Sequence, residues 1–188
     1  RNHSSAASDV YKRQNLEDAF KNVEIEDKFT DFWHLHGYRN IMLKMKELIN
    51  NANKKIIISG WKREFSECKK QLMSAKKRGV RCTIFSFTEV DEKLGKVVSY
   101  KLDEDELRKI WTPKIIMVVD HSHTLMGSAQ SVEQSKAILT QNKAISEIAM
   151  NHIILDITLA GQRLGFDSAE YVKDIMRNPA EDLQSLLR

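Results

Sequence analysis

Residues 113–131 read PKIIMVVDHSHTLMGSAQS. From Ile115 to Val119 the chain is apolar without a break and largely β-branched, then it stops at Asp120. Such a run reads as a buried strand, and TLMGS, residues 124–128, as a second strand reached through the polar residues between them. Gly127 supplies room for a tight return.

Working outward from this stretch, strand and helix signals alternate. KKIIISGW, residues 54–61, and VRCTIFSF, residues 80–87, are short β-branched runs, and KAILT, residues 136–140, offers a fifth strand. Between Tyr38 and Asn53 the apolar residues Ile41, Met42, Met45, Leu48, Ile49 and Ala52 recur at helical spacing. Ser66 to Arg78 repeats the pattern through Cys68, Leu72 and Ala75, with Gly79 placed to end it in a left-handed turn. A helix between two such strands is a βαβ unit, whose strands should be parallel. Residues 89–111 carry a charge cluster without a clean period and read as a surface connection with one short element. Ile145 to Gly165 predicts a long helix apolar over much of its circumference, either sandwiched in the core or shared with a partner subunit. A short helix before Pro179 and a second one after it complete the chain. The expected architecture is α/β, with a mostly parallel central sheet of about five strands and helices on both faces.

The 188 residues, 41% hydrophobic and 30% charged, suffice for one good core. No run approaches the roughly 18 uninterrupted apolar residues of a membrane helix, so a membrane partner is not expected. Cys68 and Cys82 lie too far apart for a C-x-x-C pair and sit in apolar segments, as packed, reduced thiols do, which fits a cytoplasmic compartment. The first fourteen residues show no periodicity and no secretory signal; they read as a foreign or disordered tail, which implies that the gene begins further upstream. That tail holds two of the four net positive charges, so the pI near 9.0 gives little support to nucleic-acid binding. Residues 15–28 read as the stub of a linker helix and 29–188 as the domain. Lysine pairs at 54–55, 69–70 and 76–77 alternate with Glu64 and Glu67 and lack interleaved aromatics, the pattern of a solvated surface.

Asp120, followed six residues later by Gly127 and Ser128, resembles the phospholipase D motif H-x-K-x4-D-x6-G-S-x-N. The resemblance implies a phospholipase-D-like half, in which the motif's His attacks phosphorus, Lys and Asn hold the phosphate oxygens, and Asp supports the His of the other subsite. Here the His, Lys and Asn positions are Pro113, Ile115 and Gln130. A covalent phosphoryl transfer needs an imidazole nucleophile and cations for the developing charge. A pyrrolidine and a hydrocarbon supply neither, so no catalytic residue and no enzyme activity are expected.

FWHLHGYRNIMLKMKELINNANKKIIISGW, residues 32–61, and SAKKRGVRCTIFSF, residues 74–87, resemble the effector domains of TrmB-type transcriptional regulators of bacteria and archaea. That family implies a helix-turn-helix domain, absent from this sequence, through which the protein would reach DNA. It also implies a homodimer and a small-molecule effector, a sugar or similar polar ligand, with no cofactor.

Ligands of open α/β sheets bind beyond the carboxyl ends of the strands. The candidate ligand-binding residues are therefore Ser59, Trp61, Ser86, Thr88 and Asp120, joined by Ser128, Gln130 and Asn142 where the resemblance places the cleft. An aromatic ring among hydroxyls, amides and a carboxylate suits a sugar; a core lid, a turn cap and backbone satisfaction would explain the same residues without one. Two alternatives stand beside this reading. One is a phosphodiesterase or nuclease relative. The other is a metal sensor using His34 with His36 and His121 with His123, since residues i and i+2 of extended backbone point the same way. Neither pair has C-x-x-C or His-Glu-x-x-His spacing.

Overall fold

In the computed structural model, residues 32–130 and 134–176 are described; the expected tail, linker stub and helix after Pro179 lie outside them, whereas the short helix expected before Pro179 is present at Ala169–Ile175. The elements run β1 (Phe32–His36), α1 (Tyr38–Asn51), β2 (Lys55–Ser59), α2 (Lys62–Lys77), β3 (Arg81–Thr88), a 3-10 turn (Glu92–Leu94), β4 (Lys96–Leu102), α3 (Glu104–Ile110), β5 (Lys114–Val119), β6 (His123–Ser128), β7 (Lys136–Thr140), α4 (Lys143–Leu164) and α5 (Ala169–Ile175). The strands form one sheet in the order β1-β7-β6-β5-β2-β3-β4.

The α/β class and the helices on both faces agree with the sequence; the strand count and direction do not. Among the described residues there are seven strands, and only β2–β3 and β3–β4 pair in parallel. β5 runs antiparallel to β2, and β6, β7 and β1 continue antiparallel. The turn between β5 and β6 and the short link between β6 and β7 leave no length for a crossover, so each strand must fold back on its neighbour. The βαβ unit of β2, α2 and β3 is the parallel pair that the sequence predicts, and Gly79, at φ 87°, ends α2 as expected.

The period-2 geometry sorts the core into two layers. Ile56 and Ile58 point with Ile84, Ile115, Met117, Leu125 and Leu139 towards α1 and α2, where Ile41, Met45, Ile49 and Leu72 meet them. Ile57, Phe85, Val98 and Val118 point the other way, onto Ile153, Ile157 and Ala160 of α4 and Ile175 of α5. Three consecutive isoleucines are thus fully buried because β2 is central and covered on both faces. Among the described residues α4 is long and apolar enough to cross a bilayer by length and composition alone, yet its buried stripe packs on the sheet. Arg78, at the end of α2, donates to the carbonyls of Ile49, Asn50 and Ala52 at 2.9–3.3 Å. It thereby satisfies the open C-terminus of α1 and fixes the turn that leads into β2.

Candidate functional site

The predicted ligand set divides between the two ends of the sheet. Because β5 is antiparallel to β2, the carboxyl end of β5 lies at the amino end of β2: Val119 pairs with Ile56, and Ile116 with Ser59. Ser59, Trp61, Ser86, Thr88, Ser128 and Gln130 stand at one end of the sheet, while Asp120 and Asn142 stand at the other.

At the first end Ser86, Thr88, Ser128 and Gln130 hydrogen-bond within the protein. Ser86 and Thr88 are buried with their hydroxyls 3.1 Å apart, and Thr88 Oγ1 accepts the Lys62 N–H at 2.7 Å. Ser128 Oγ exchanges hydrogen bonds with the backbone of Lys136 at 3.1 and 3.4 Å, locking the end of the β6–β7 ladder. Gln130 Nε2 donates to Thr112 Oγ1 at 3.3 Å. Trp61, 3% exposed, is a lid over the core; its backbone N–H donates to the buried Glu64 carboxylate at 3.2 Å. Burial raises the Glu64 pKa, with the Arg63 guanidinium at 2.9 Å opposing that shift. Pro113 is buried and Ile115, 1% exposed, belongs to the core under α1 and α2. The two positions at which the phospholipase D motif holds its nucleophile and cation are interior hydrocarbon here.

At the other end Asp120 anchors a tight hairpin. Asp120 and His121 have φ of 51° and 56°, and the Ser122 N–H donates to the Val119 carbonyl at 3.0 Å. Two left-handed residues in succession make the turn that matches strand twist. The Asp120 carboxylate accepts the N–H groups of Asn53, Lys54 and Lys55 at 2.8–2.9 Å. Burial would raise its pKa, but the three amides outweigh burial and hold it below the usual carboxylate range. This residue ties the β5–β6 turn to the start of β2 and acts as a structural brace. Asn142 caps α4, its Oδ1 accepting the Ile145 N–H at 3.2 Å.

Between this brace and the edge strand lies a cleft of about 690 Å³ that the sequence reading does not assemble. One wall is β1, whose Trp33 pairs with Leu139 and therefore faces the α1 side; Trp33 is 48% exposed. The opposite wall is the C-terminal half of α1 and the turn that Arg78 holds, contributing Lys44, Glu47, Asn51 and Asn53. The hairpin and the end of β7 close it with Asp120, Ser122, His123 and Gln141, and Leu48, Val119 and Leu139 form the floor. Lys44 and Glu47 form an ion pair at 2.9 Å on the rim. His123 is held at both nitrogens, Nδ1 at 2.9 Å from Ser122 Oγ and Nε2 at 2.8 Å from Gln141 Nε2. The neutral form with Nδ1–H donating to Ser122 and Nε2 accepting from the amide satisfies every partner. An exposed indole over an apolar floor, ringed by amides and imidazoles, can stack on one face of a small molecule and hydrogen-bond its edge.

The four histidines do not gather at one centre. His34 and His36 both line a groove on the α4 side of the sheet, and His34 also borders the cleft; His121 Nδ1 lies 3.0 Å from Met150 Sδ, whereas His123 bonds Ser122 and Gln141. Among the described residues no three His, Cys, Asp or Glu side chains are placed to hold one metal ion. Of the cleft residues, the sequence reading named Asp120, His34 and His123 and missed Trp33, Asn51, Asn53 and Gln141. The WHLHG stretch was visible, but nothing local reveals that it pairs with β7 as an edge strand.

A family model described as Transcriptional regulator TrmB, EBD N-terminal subdomain, matches residues 31–155. The uncharacterized protein YrhO of Bacillus subtilis (strain 168) is 23% identical over 129 residues, 69% of this chain and 47% of YrhO; the chain thus spans about half the length of that curated relative. Among solved structures, TrmBL2, an archaeal chromatin protein, is similar with a TM-score of 0.48 and 15% identity over 79% of this chain and 60% of its own. NucT from Helicobacter pylori gives 0.49 and 11% over 68% and 96%, and the phospholipase D family member Nuc from Salmonella typhimurium 0.49 and 16% over 66% and 93%. The family match runs from the edge strand into α4, more than half of the sequence, and on it this chain belongs to the TrmB family of transcriptional regulators.

Proposed function

We propose that this chain is the effector-sensing and dimerisation part of a prokaryotic, cytoplasmic transcriptional regulator. It is non-catalytic and takes a sugar or similar small polar ligand in the cleft beside Trp33. DNA contact belongs to a part of the longer protein outside this sequence. The observation that carries the reading is the cleft itself, with an exposed indole, an apolar floor and a rim rich in neutral hydrogen-bonding groups. The buried hydrocarbon at 113 and 115 supports the non-catalytic half, because neither side chain can attack or neutralise a phosphate. Ligand binding would shift the protein between two arrangements, to the extent that one of them binds the ligand more tightly.

A thermal-shift screen of monosaccharides, disaccharides and their phosphates tests this, since a ligand that binds only the folded state raises its melting point. The expected result is a shift with at least one sugar that Trp33→Ala abolishes without lowering the melting point of the free protein, because Trp33 is half exposed. Hydrolysis of a simple phosphodiester by the purified chain, lost in Asp120→Asn, overturns the reading. So does a sugar-induced shift that survives Trp33→Ala unchanged.

A further inference from the structure

On the α4 side of the sheet the register sorts the side chains of β5, β6, β7 and β1 into rows, because alternate residues of each strand share a face. Lys114 pairs with Ser128, Ser128 exchanges hydrogen bonds with the Lys136 backbone, and Lys136 pairs with His36. This row crosses four strands at one end of the sheet, and both lysines and His36 are exposed. The next row is Ile116, Met126, Ile138 and His34, aligned in the same way. In the row beyond it Thr124 is buried and donates to Ser146 of α4 at 2.7 Å, so the helix stands over that end. Between the polar rim and the helix lies a groove of about 460 Å³, floored by Ile116, Met126 and Ile138, each half-buried.

Charge, floor and size restrict what fits there. The lining carries Lys114, Lys136 and two imidazoles and no carboxylate, and among the described residues neither lysine ammonium has a carboxylate partner. An anion at the rim therefore gains charge-assisted hydrogen bonds without displacing an internal ion pair. Two strand spacings separate the lysines, about 10 Å at the backbone, a gap that two flexible four-carbon stems can close on one carboxylate above Ser128. The floor is hydrocarbon and thioether with no Phe, Tyr or Trp, so a nucleobase finds nothing to stack on. A bare inorganic anion would leave that apolar floor in water. A depression receives a chain, whereas a bilayer surface calls for an apolar face that protrudes into it. The volume falls in the range of about 300–1,000 Å³ typical of small-molecule sites, and the unbranched Met126 adapts to a flexible aliphatic guest.

We infer that this groove is a second ligand site, separate from the cleft beside Trp33, and that it takes an aliphatic monocarboxylate of medium chain length. The carboxylate is held between Lys114 and Lys136, and the chain lies over Ile116, Met126 and Ile138 towards α4. The inference is independent of what the cleft binds, although His34 borders both.

Titration calorimetry of the purified chain with acetate, hexanoate, octanoate and decanoate, each below its micellar concentration, tests the site. Acetate should give no heat, and from hexanoate upwards affinity should rise about two- to fourfold per methylene as the chain covers the floor. Octanol, with the same chain length and no charge, should bind at least about tenfold more weakly than octanoate. Lys114→Gln combined with Lys136→Gln should weaken decanoate by about tenfold or more. Both lysines are exposed, so that variant should keep the wild-type melting curve. Trp33→Ala should leave the decanoate affinity unchanged. Absence of heat with decanoate overturns the inference, as does octanol binding as tightly as octanoate. Acetate and decanoate binding equally well would reduce the row to a simple anion site and also overturns it. So does decanoate binding that survives the double lysine variant, or that is lost in Trp33→Ala, which would put the carboxylate in the cleft.

Discussion

Replacing Asp120 separates a brace from a catalyst. In Asp120→Ala three backbone donors lose their acceptor. The Lys55 amide lies at a buried residue, so its loss carries the desolvation cost of an unpaired donor, about 1–3 kcal/mol. Asn53 and Lys54 are exposed, so their amides turn to water and forfeit about 0.5–1.5 kcal/mol each. Alanine must also hold φ near 51°, in the region that costs an ordinary residue about 1–2 kcal/mol; aspartate tolerates it better. The total is about 3–8 kcal/mol, a lowering of the melting point by about 10–20 °C for a chain of this size. Asp120→Asn keeps Oδ1 as an acceptor and loses one partner, so about 1–2 kcal/mol is expected. Asp120→Gly breaks all three bonds but relieves the backbone, placing it about 1 kcal/mol above alanine.

Urea denaturation and thermal melting should therefore rank wild type, Asn, Gly and Ala in descending stability. The ranking has a pH signature. The folded carboxyl titrates below its unfolded value, so its contribution is present above the unfolded pKa and disappears as pH falls through the depressed folded one. The gap between wild type and Asp120→Ala should be constant around neutrality and narrow below about pH 4. An alanine variant melting within about 2 °C of wild type, or above the glycine variant, refutes the brace.

Three further perturbations follow from the structure. Lys101 is exposed at φ 56°, so Lys101→Gly should stabilise the chain by up to about 1 kcal/mol, read as a rise in melting point. Burial pushes the Cys68 thiol up to about 12 and Cys82 to about 11; a thiol reagent at pH 8 should leave the folded chain untouched and modify both cysteines in urea. Ile115→Lys places an unpaired ammonium in the core, costing about 3–5 kcal/mol, and the double variant Pro113→His with Ile115→Lys should still leave a phosphodiester uncleaved.

What could be read from the residues depended on burial. β2, β3, β5 and the faces of α1 and α2 are interior, so their apolar periods are clean and their positions were predicted to within a few residues. β1 and β4 are the two edge strands of the sheet, mostly half-buried or exposed along their length; the alternation that marks a strand is weak where one side meets water. α3 is a seven-residue helix of mixed charge, recognisable only through Asp103, which accepts the N–H groups of Asp105 and Glu106 at 3.0 Å as its cap. Strand direction was beyond local reading. It follows from β5 entering antiparallel to β2, and nothing between residues 103 and 113 announces that.

The reversed direction also explains why the expected ligand residues divide between the two ends of the sheet. In a sheet with β5 parallel to β2 Asp120 would stand beside Ser59 and Thr88; with β5 reversed it stands at the opposite end, in the cleft with Trp33. Three residues of the motif's spacing have structural tasks here. Asp120 holds three amides, Ser128 closes the β6–β7 ladder, and a Cβ at Gly127 would run into the Lys136 carbonyl and the Ala137 backbone. Pro113 and Ile115 occupy positions that make no such backbone contact through their side chains, and Ile115 can be filled by whatever packs under α1 and α2. The fold constrains the Asp, Gly and Ser of the pattern through these backbone contacts, and it asks of positions 113 and 115 only that they fill the interior.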